Sequence, residues 1–183
     1  MIVKKYIIPR FTTGSAIKEL RQRLKITQKE FAKLAGVSIP TIERWEASQN
    51  KITGPIVTLM TVIMSDLSLP ERLELPENRL KIRLLYMYDD YICTVIDVDE
   101  PTRTVHIKNY TNNVMMRAFG KNTEPSYDEF EEFLESRCFP RSRDKIKLEL
   151  ERLAIPFYDP YLIIEKTEGR MADDKFWIKI DKS

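Results

Sequence analysis

The chain has 183 residues, enough for one domain of ordinary size or two small ones, and its 43% apolar and 32% charged residues are typical of a soluble globular protein. Two cysteines, Cys93 and Cys138, and a single histidine exclude a disulfide framework, a thiolate zinc site and most histidine-based catalysis, and no apolar run approaches the roughly 20 residues of a membrane span. The net charge of +2 is unevenly distributed: residues 1–66 contain 11 Lys and Arg against 5 Asp and Glu, whereas residues 67–183 contain 19 Lys and Arg against 23 Asp and Glu. This asymmetry predicts two modules, of which the basic first one faces a polyanion.

An N-terminal segment, residues 1–14, precedes the first predicted helix. Its alternating positions Ile2, Lys4, Tyr6 and Ile8 are compatible with a strand in a dimer and with a loose arm, and the sequence leaves both open. Apolar residues at helical spacing then predict a first helix over 15–24; they are Ile17, Leu20 and Leu24.

Two further helices are predicted from their end signals. Thr27 and Glu30 have the spacing of a capping box, which predicts the start of the second helix. This helix ends at Gly36, because glycine tolerates the left-handed conformation of a helix end. Ser38 is the predicted cap of the third helix, and Pro40 lies in its first turn, where a missing N–H has no cost. Two helices joined by a short turn that contains glycine are typical of a helix-turn-helix.

One motif of residues at fixed spacing spans this region: Leu24-x-x-Thr27-Gln28-x-x-Phe31-Ala32-x-x-Ala35-Gly36-Val37-Ser38-x-x-Thr41-Ile42-x-x-Trp45-Glu46. Over residues 16–66 the chain resembles the Cro/C1 (XRE-type) helix-turn-helix family of bacteria and phages. The resemblance implies an all-α DNA-binding domain of four or five helices at 15–69, with a recognition helix that enters the major groove. It also implies a regulator of transcription, with a repressor as the expected role and a homodimer on inverted half-sites as the expected form.

The resemblance carries over to individual positions of the recognition helix, which begins at Ser38. Ile39, Pro40 and Arg44 take the positions that face base edges, and the hydroxyls of Ser38 and Thr41 can donate to phosphate or base. Arg44 is the most informative of them, because its planar guanidinium matches O6 and N7 of guanine with two hydrogen bonds.

An ion pair with a neighbouring acid, Glu43 or Glu46, is the alternative for Arg44, and the sequence leaves both open. Gln28, at the start of the preceding helix, matches the family residue that clamps the DNA backbone, and a helix N-terminus suits an anion. Further candidate phosphate contacts lie in the loop after the recognition helix: Asn50, Lys51 and Thr53.

The stretch that starts at Trp45-Glu46 also resembles the antitoxin branch of the family, of the HigA or MqsA sort. In that branch a Trp-Glu-x-Gly stretch leads into Pro-x-Gly-Pro, whereas this chain has Ser48 in place of the glycine and Thr53 in place of the proline. The branch implies an alternative function, an antitoxin or phage-type inhibitor. Its C-terminal domain would bind a toxin or host protein while the helix-turn-helix autoregulates its operon.

The remainder, residues 79–183 after a linker at 70–78, is predicted to be a small α+β domain for dimerisation or partner binding. β-Branched and aromatic residues separated by turn compositions predict a three-strand antiparallel meander and a closing strand: 80–87, 91–98, 102–108 and 175–180. Two or three helices are predicted between them, with starts at Ser126, Ser142 and Asp159. The predicted fold class of the whole chain is therefore α+β.

Three arginines lie around one proline in this domain: Arg137, Arg141 and Arg143. They are a candidate anion or partner site, because arginines beside a helix N-terminus attract anions; the alternative is that they pair with nearby carboxylates. The run Arg-x-x-Pro-x-Ser-Arg at 137–143, through to Asp173-Asp174-x-x-Trp177-Ile178, also resembles small N-terminal domains of HipA-like bacterial kinases. That resemblance implies a docking or inhibitory domain rather than a kinase.

The sequence does not favour an enzyme. Its five glycines form no phosphate-binding loop, and its residues suggest no nucleophile elbow, metal site or cofactor site. We therefore expect a cytoplasmic, nucleoid-associated protein whose partner is double-stranded DNA, with no cofactor, no metal and no membrane partner.

Overall fold

The chain divides into two compact units, Met1–Glu74 and Leu75–Ser183, each with its own hydrophobic core. The computed structural model describes residues 5–77 and 80–181. The predictions for Ile2 and Lys4 lie outside the described residues.

The described part of the N-terminal unit is helical: α1 (Gly14–Arg23), α2 (Gln28–Ala35), α3 (Ile39–Ala47), α4 (Pro55–Ser65) and α5 (Leu69–Leu73). Apolar side chains from successive helices meet in one core, in which Ile17, Phe31 and Ile42 are fully buried. The predicted all-α helix-turn-helix region is therefore confirmed. Helix α5 extends into the segment 70–78, which the sequence predicts as a linker.

Two of the three predicted end signals form as expected. The hydroxyl of Thr27 accepts from the Glu30 N–H at 3.2 Å, and the Glu30 carboxylate accepts from the Thr27 N–H at 2.6 Å, which completes the capping box. Gly36 is left-handed, with φ of 65°. Ser38 precedes α3 as predicted, but its hydroxyl lies 2.9 Å from that of Thr41 and does not cap the helix backbone.

The described part of the N-terminal segment, residues 5–13, forms no regular strand. Its β-pairing is a single bridge: the N–H of Thr12 donates to the carbonyl of Ile52 at 2.8 Å, and the carbonyl of Thr12 accepts from the N–H of Ile52 at 2.9 Å. The segment is therefore tied at one point to the loop that follows α3.

The described C-terminal unit contains an antiparallel sheet in the order β3-β2-β1-β4, formed by β1 (Ile82–Tyr88), β2 (Tyr91–Asp99), β3 (Thr104–Asn109) and β4 (Phe176–Asp181). The predicted meander and closing strand are confirmed. The closing strand pairs with β1, so that Leu84 lies opposite Ile96 of β2 on one side and Ile180 of β4 on the other.

Helices cover one face of this sheet: α6 (Tyr127–Ser136), α7 (Ile146–Arg152) and α8 (Pro160–Thr167). Their apolar side chains, among them the fully buried Phe130 and Ile163, pack on Leu84 and Ile96 of the sheet. The predicted α+β class is confirmed.

The predicted helix starts in this unit have different outcomes. Ser126 forms a capping box, and the carboxylate of Asp159 accepts from the third residue of α8, as expected. Ser142 does not cap α7, because a turn closed by the bond from the Arg143 N–H to the Pro140 carbonyl occupies this region. Helix α7 instead follows Lys145, which is left-handed and provides no side-chain cap.

Candidate nucleic-acid interface

A close backbone contact holds α3 against α1. Gly14, the first residue of α1, is buried, and a Cβ atom there would overlap the carbonyl oxygen of Trp45 and lie 2.9 Å from that of Ser48. Glycine therefore allows α1 to begin directly against the carbonyl end of α3. This contact fixes the position of α3 within the unit.

Helix α3 has a buried face and an exposed face. Ile42 is fully buried in the core, and Trp45 is half-buried against it, as the helical spacing of three residues requires. The exposed face carries most of the positions that the resemblance assigns to DNA: Ser38, Ile39, Pro40 and Arg44, with Thr41 half-buried.

The guanidinium of Arg44 is exposed, and none of the ion pairs within the described residues includes it. Of the two acids that could pair with it, Glu43 is also exposed, and Glu46 binds Arg21 instead. The five N–H donors of Arg44 are therefore available to an external acceptor, in the geometry that suits a guanine edge or a phosphate.

Glu46 connects the first three helices. Arg21 of α1 donates to both of its carboxylate oxygens at 2.6 and 2.9 Å, and the side-chain amide of Gln28 in α2 donates at 2.9 Å. The hydrogen bond from Arg21 holds the pKa of Glu46 below its usual range, although burial acts in the opposite direction. The predicted backbone clamp Gln28 is thus half-buried, with its amide oriented by the Glu46 carboxylate of α3.

Sequence reasoning identified Gln28 but missed the Arg21–Glu46 pair. The available signal was the position of Arg21 within the apolar stripe of α1, between Leu20 and Leu24. A charged side chain on a buried stripe requires an opposite charge from another element. The sequence does not specify which carboxylate supplies it.

The loop after α3 presents its three candidate residues to solvent. Asn50, Lys51 and Thr53 are exposed, whereas Ile52 is buried in the core and bridged to Thr12. The loop is therefore anchored by its one apolar residue, and the polar residues around that anchor lie on the outside. The ammonium of Lys51 lies 4.3 Å from the ring centre of Phe11.

The three arginines around Pro140 each have a carboxylate partner: Arg137 has Asp174 at 2.6 Å, Arg141 has Glu135 at 2.6 Å, and Arg143 has Glu149 at 3.7 Å. Arg137 is buried, and it also donates to the carbonyls of Gly169 and Phe176. The structure thus shows the alternative arrangement, in which each of the three arginines pairs with a carboxylate of the chain.

Within residues 5–77 and 80–181, no group of three or more His, Cys, Asp or Glu side chains is arranged to hold a metal ion. None of the helices in this described part is long and apolar enough to cross a membrane.

Part of the chain matches a known protein family. Residues 17–61 match the family described as Helix-turn-helix, a span that runs from the fourth residue of α1 to the middle of α4. No curated protein and no solved structure matches the chain. The match covers the exposed face of α3, the Glu46 contacts and the loop with Lys51.

Proposed function

Residues 17–61 form a helix-turn-helix domain of the Cro/C1 type, and from this premise we propose that the chain is a sequence-specific regulator of transcription that binds double-stranded DNA. Its expected action is repression, the role that the resemblance of residues 16–66 to the Cro/C1 family implies. The proposal places the chain in the cytoplasm, associated with the nucleoid.

The exposed, unpaired Arg44 on the outer face of α3 is the observation that carries the proposal. Its guanidinium can donate two parallel hydrogen bonds to O6 and N7 of guanine. Ile39 and Pro40, one turn earlier on the same helix, offer apolar surface to a thymine methyl group. The surface of α3 thus combines one directional donor with small apolar neighbours, which suits base recognition in a major groove.

Selection of bound duplexes from a random library, followed by affinity measurement, tests this proposal. Arg44→Ala is expected to lose about 1–3 kcal/mol of discrimination at one base pair of the selected site. Arg23→Ala, which removes the same charge from the exposed end of α1, is the matched control and should keep the base preference. Enrichment of no sequence by the wild-type chain would refute the proposal, as would an unchanged preference in Arg44→Ala.

The basic charge of residues 1–66 leads to a second expectation, that DNA binding weakens as the salt concentration rises. Each phosphate that the domain neutralises is expected to lower the slope of log K against log salt by about 0.9. Binding that is independent of salt between 50 and 200 mM would contradict a phosphate interface.

We also propose that the chain acts as a homodimer on inverted half-sites about one helical turn apart. The described N-terminal unit supports this by exposing large apolar side chains near its end: Val62, Met64, Leu67 and Leu73. Large apolar side chains exposed in this part of the chain are available to a protein–protein contact. Sedimentation equilibrium should give a dimer, and footprinting should show two protected half-sites; a monomer that protects one half-site would refute this part of the proposal.

The C-terminal unit is proposed to serve dimerisation or partner binding rather than catalysis. Burial raises the pKa of the Cys138 thiol to about 12 and also raises that of Cys93, so both are held as thiols and are poor nucleophiles. The buried Arg137 is taken up in bonds that connect α6 to the segment before β4.

A further inference from the structure

The start of α1 and the residues just before it contact the end of α3 and the loop after it at three points. Phe11 lies under the Lys51 ammonium, Thr12 is bridged to Ile52, and Gly14 lies against the carbonyl end of α3. The two bonds of the bridge, 2.8 and 2.9 Å long, fix the backbone of the residues that directly follow Phe11 and Lys51. The main chain therefore keeps the Phe11 ring and the Lys51 ammonium next to each other.

From this geometry we infer that Phe11 is a positioning residue, which holds the Lys51 ammonium in place to bind a DNA phosphate. The inference rests on the proposed function, and it assigns to the segment before the helix-turn-helix a role in binding. Phe11 does not itself contact the nucleic acid.

Both side chains are partly open to solvent, and this matters for the mechanism. Phe11 is 40% exposed and Lys51 is exposed, so the ring covers one side of the ammonium and leaves the other N–H donors outward. A free lysine loses most of its rotamer freedom when it binds a phosphate. A lysine already held by an aromatic ring has lost part of that freedom beforehand, so the loss on binding is smaller.

A double-mutant cycle on the full chain separates this role from a structural one. Lys51→Gln removes the charge and should weaken binding and reduce the salt slope by about 1. Phe11→Leu keeps the charge, so it should weaken binding roughly 2- to 5-fold while the salt slope stays unchanged. In the Lys51→Gln background, Phe11→Leu should cause no further loss. Phe11→Tyr, which retains the ring, should bind as wild type does.

The probe is the duplex selected by the wild-type chain, labelled for fluorescence anisotropy and titrated at four salt concentrations. An equal loss from Phe11→Leu in both backgrounds would show a structural role and overturn the inference, as would no loss in either. Thermal melting checks that each variant is folded.

A measurement without DNA separates the geometry from the function. The ε-methylene protons of Lys51 should resonate upfield in the wild-type chain because of the Phe11 ring, and Phe11→Leu should abolish this shift. Absence of the shift in the wild-type chain would overturn the positioning contact itself. If the shift is present but the wild-type chain binds no duplex, the proposed function fails, and the assignment of Phe11 to DNA binding fails with it.

Discussion

Replacing Gly14 by alanine tests the contact that fixes α3 in the N-terminal unit. The added methyl group would overlap the Trp45 carbonyl oxygen and would lie 2.9 Å from that of Ser48 and 3.1 Å from that of Glu46. All three atoms are backbone carbonyl oxygens at the end of α3, so the overlap cannot be relieved by rotating a side chain. The start of α1 must retreat by about 1 Å to restore ordinary van der Waals separation.

The magnitude follows from two opposing effects. Overpacking of this kind costs about 1–3 kcal/mol. Alanine at a position with ordinary φ recovers about 0.4–1 kcal/mol, because it restricts the unfolded chain. Gly14→Ala should therefore reduce the free energy of unfolding by about 1–2 kcal/mol, which lowers the Tm of a domain of this size by roughly 5–15 °C.

Tryptophan fluorescence can follow this unit separately. The chain has two tryptophans, Trp45 in the N-terminal unit and Trp177 in the C-terminal unit. In a Trp177→Phe background, thermal unfolding monitored by fluorescence reports the environment of Trp45, whose own carbonyl forms the contact with α1.

Ser15→Ala is the matched control, because it places the same side chain one residue later, at an exposed position of α1. Its Tm should remain close to that of the reference chain. A Gly14→Ala variant as stable as the Ser15→Ala control would refute the reasoning, since it would mean that the carbonyl end of α3 does not lie against the start of α1.

Three further predictions concern buried groups. Glu46→Gln should destabilise the N-terminal unit by about 2 kcal/mol at neutral pH, while the exposed Glu43→Gln should have little effect. Because folding lowers the pKa of Glu46, the ionised carboxylate stabilises the folded unit above the ordinary glutamate pKa of about 4.3, and this stabilisation is lost as the pH falls. In Glu46→Gln, the free energy of unfolding followed by Trp45 fluorescence should therefore depend less on pH in the acid range. Arg137→Ala should lower the free energy of unfolding of the C-terminal unit by about 3 kcal/mol in denaturant titrations, whereas Arg141→Ala, at an exposed ion pair, should scarcely change it; equal effects would contradict the difference in burial. Both cysteines should resist iodoacetamide at pH 8 in the native chain and react after unfolding, as mass spectrometry can show; rapid native alkylation would contradict their burial.

The structural features that could be predicted most accurately from the sequence are those determined within one helical turn. The Thr27–Glu30 box and the left-handed Gly36 depend on the geometry of their own few residues, and both are found as predicted. The spacing of apolar residues likewise predicts which face of α3 is buried, because Ile42 and Trp45 lie on one side of any helix through them.

Features set by tertiary packing could not be predicted in the same way. Arg21 and Glu46 are 25 residues apart, and nothing local specifies that they meet. The start of α7 was misplaced because Ser142 has the composition of a cap, while the chain around it turns before the helix begins. The three basic residues around Pro140 suggested an anion site for a similar reason, since their partners become neighbours only after folding.

The strand order β3-β2-β1-β4 has a consequence for synthesis on the ribosome. Once residue 110 has emerged, strands β1, β2 and β3 are available to form the sheet. Strand β4 is translated much later, and with it Phe176, whose ring stacks on Tyr86 at 5.0 Å in the folded protein. Until then one side of β1 offers unpaired backbone groups to other nascent chains. The N-terminal unit already has its core residues by that time, so it can fold while the C-terminal unit is still being synthesised.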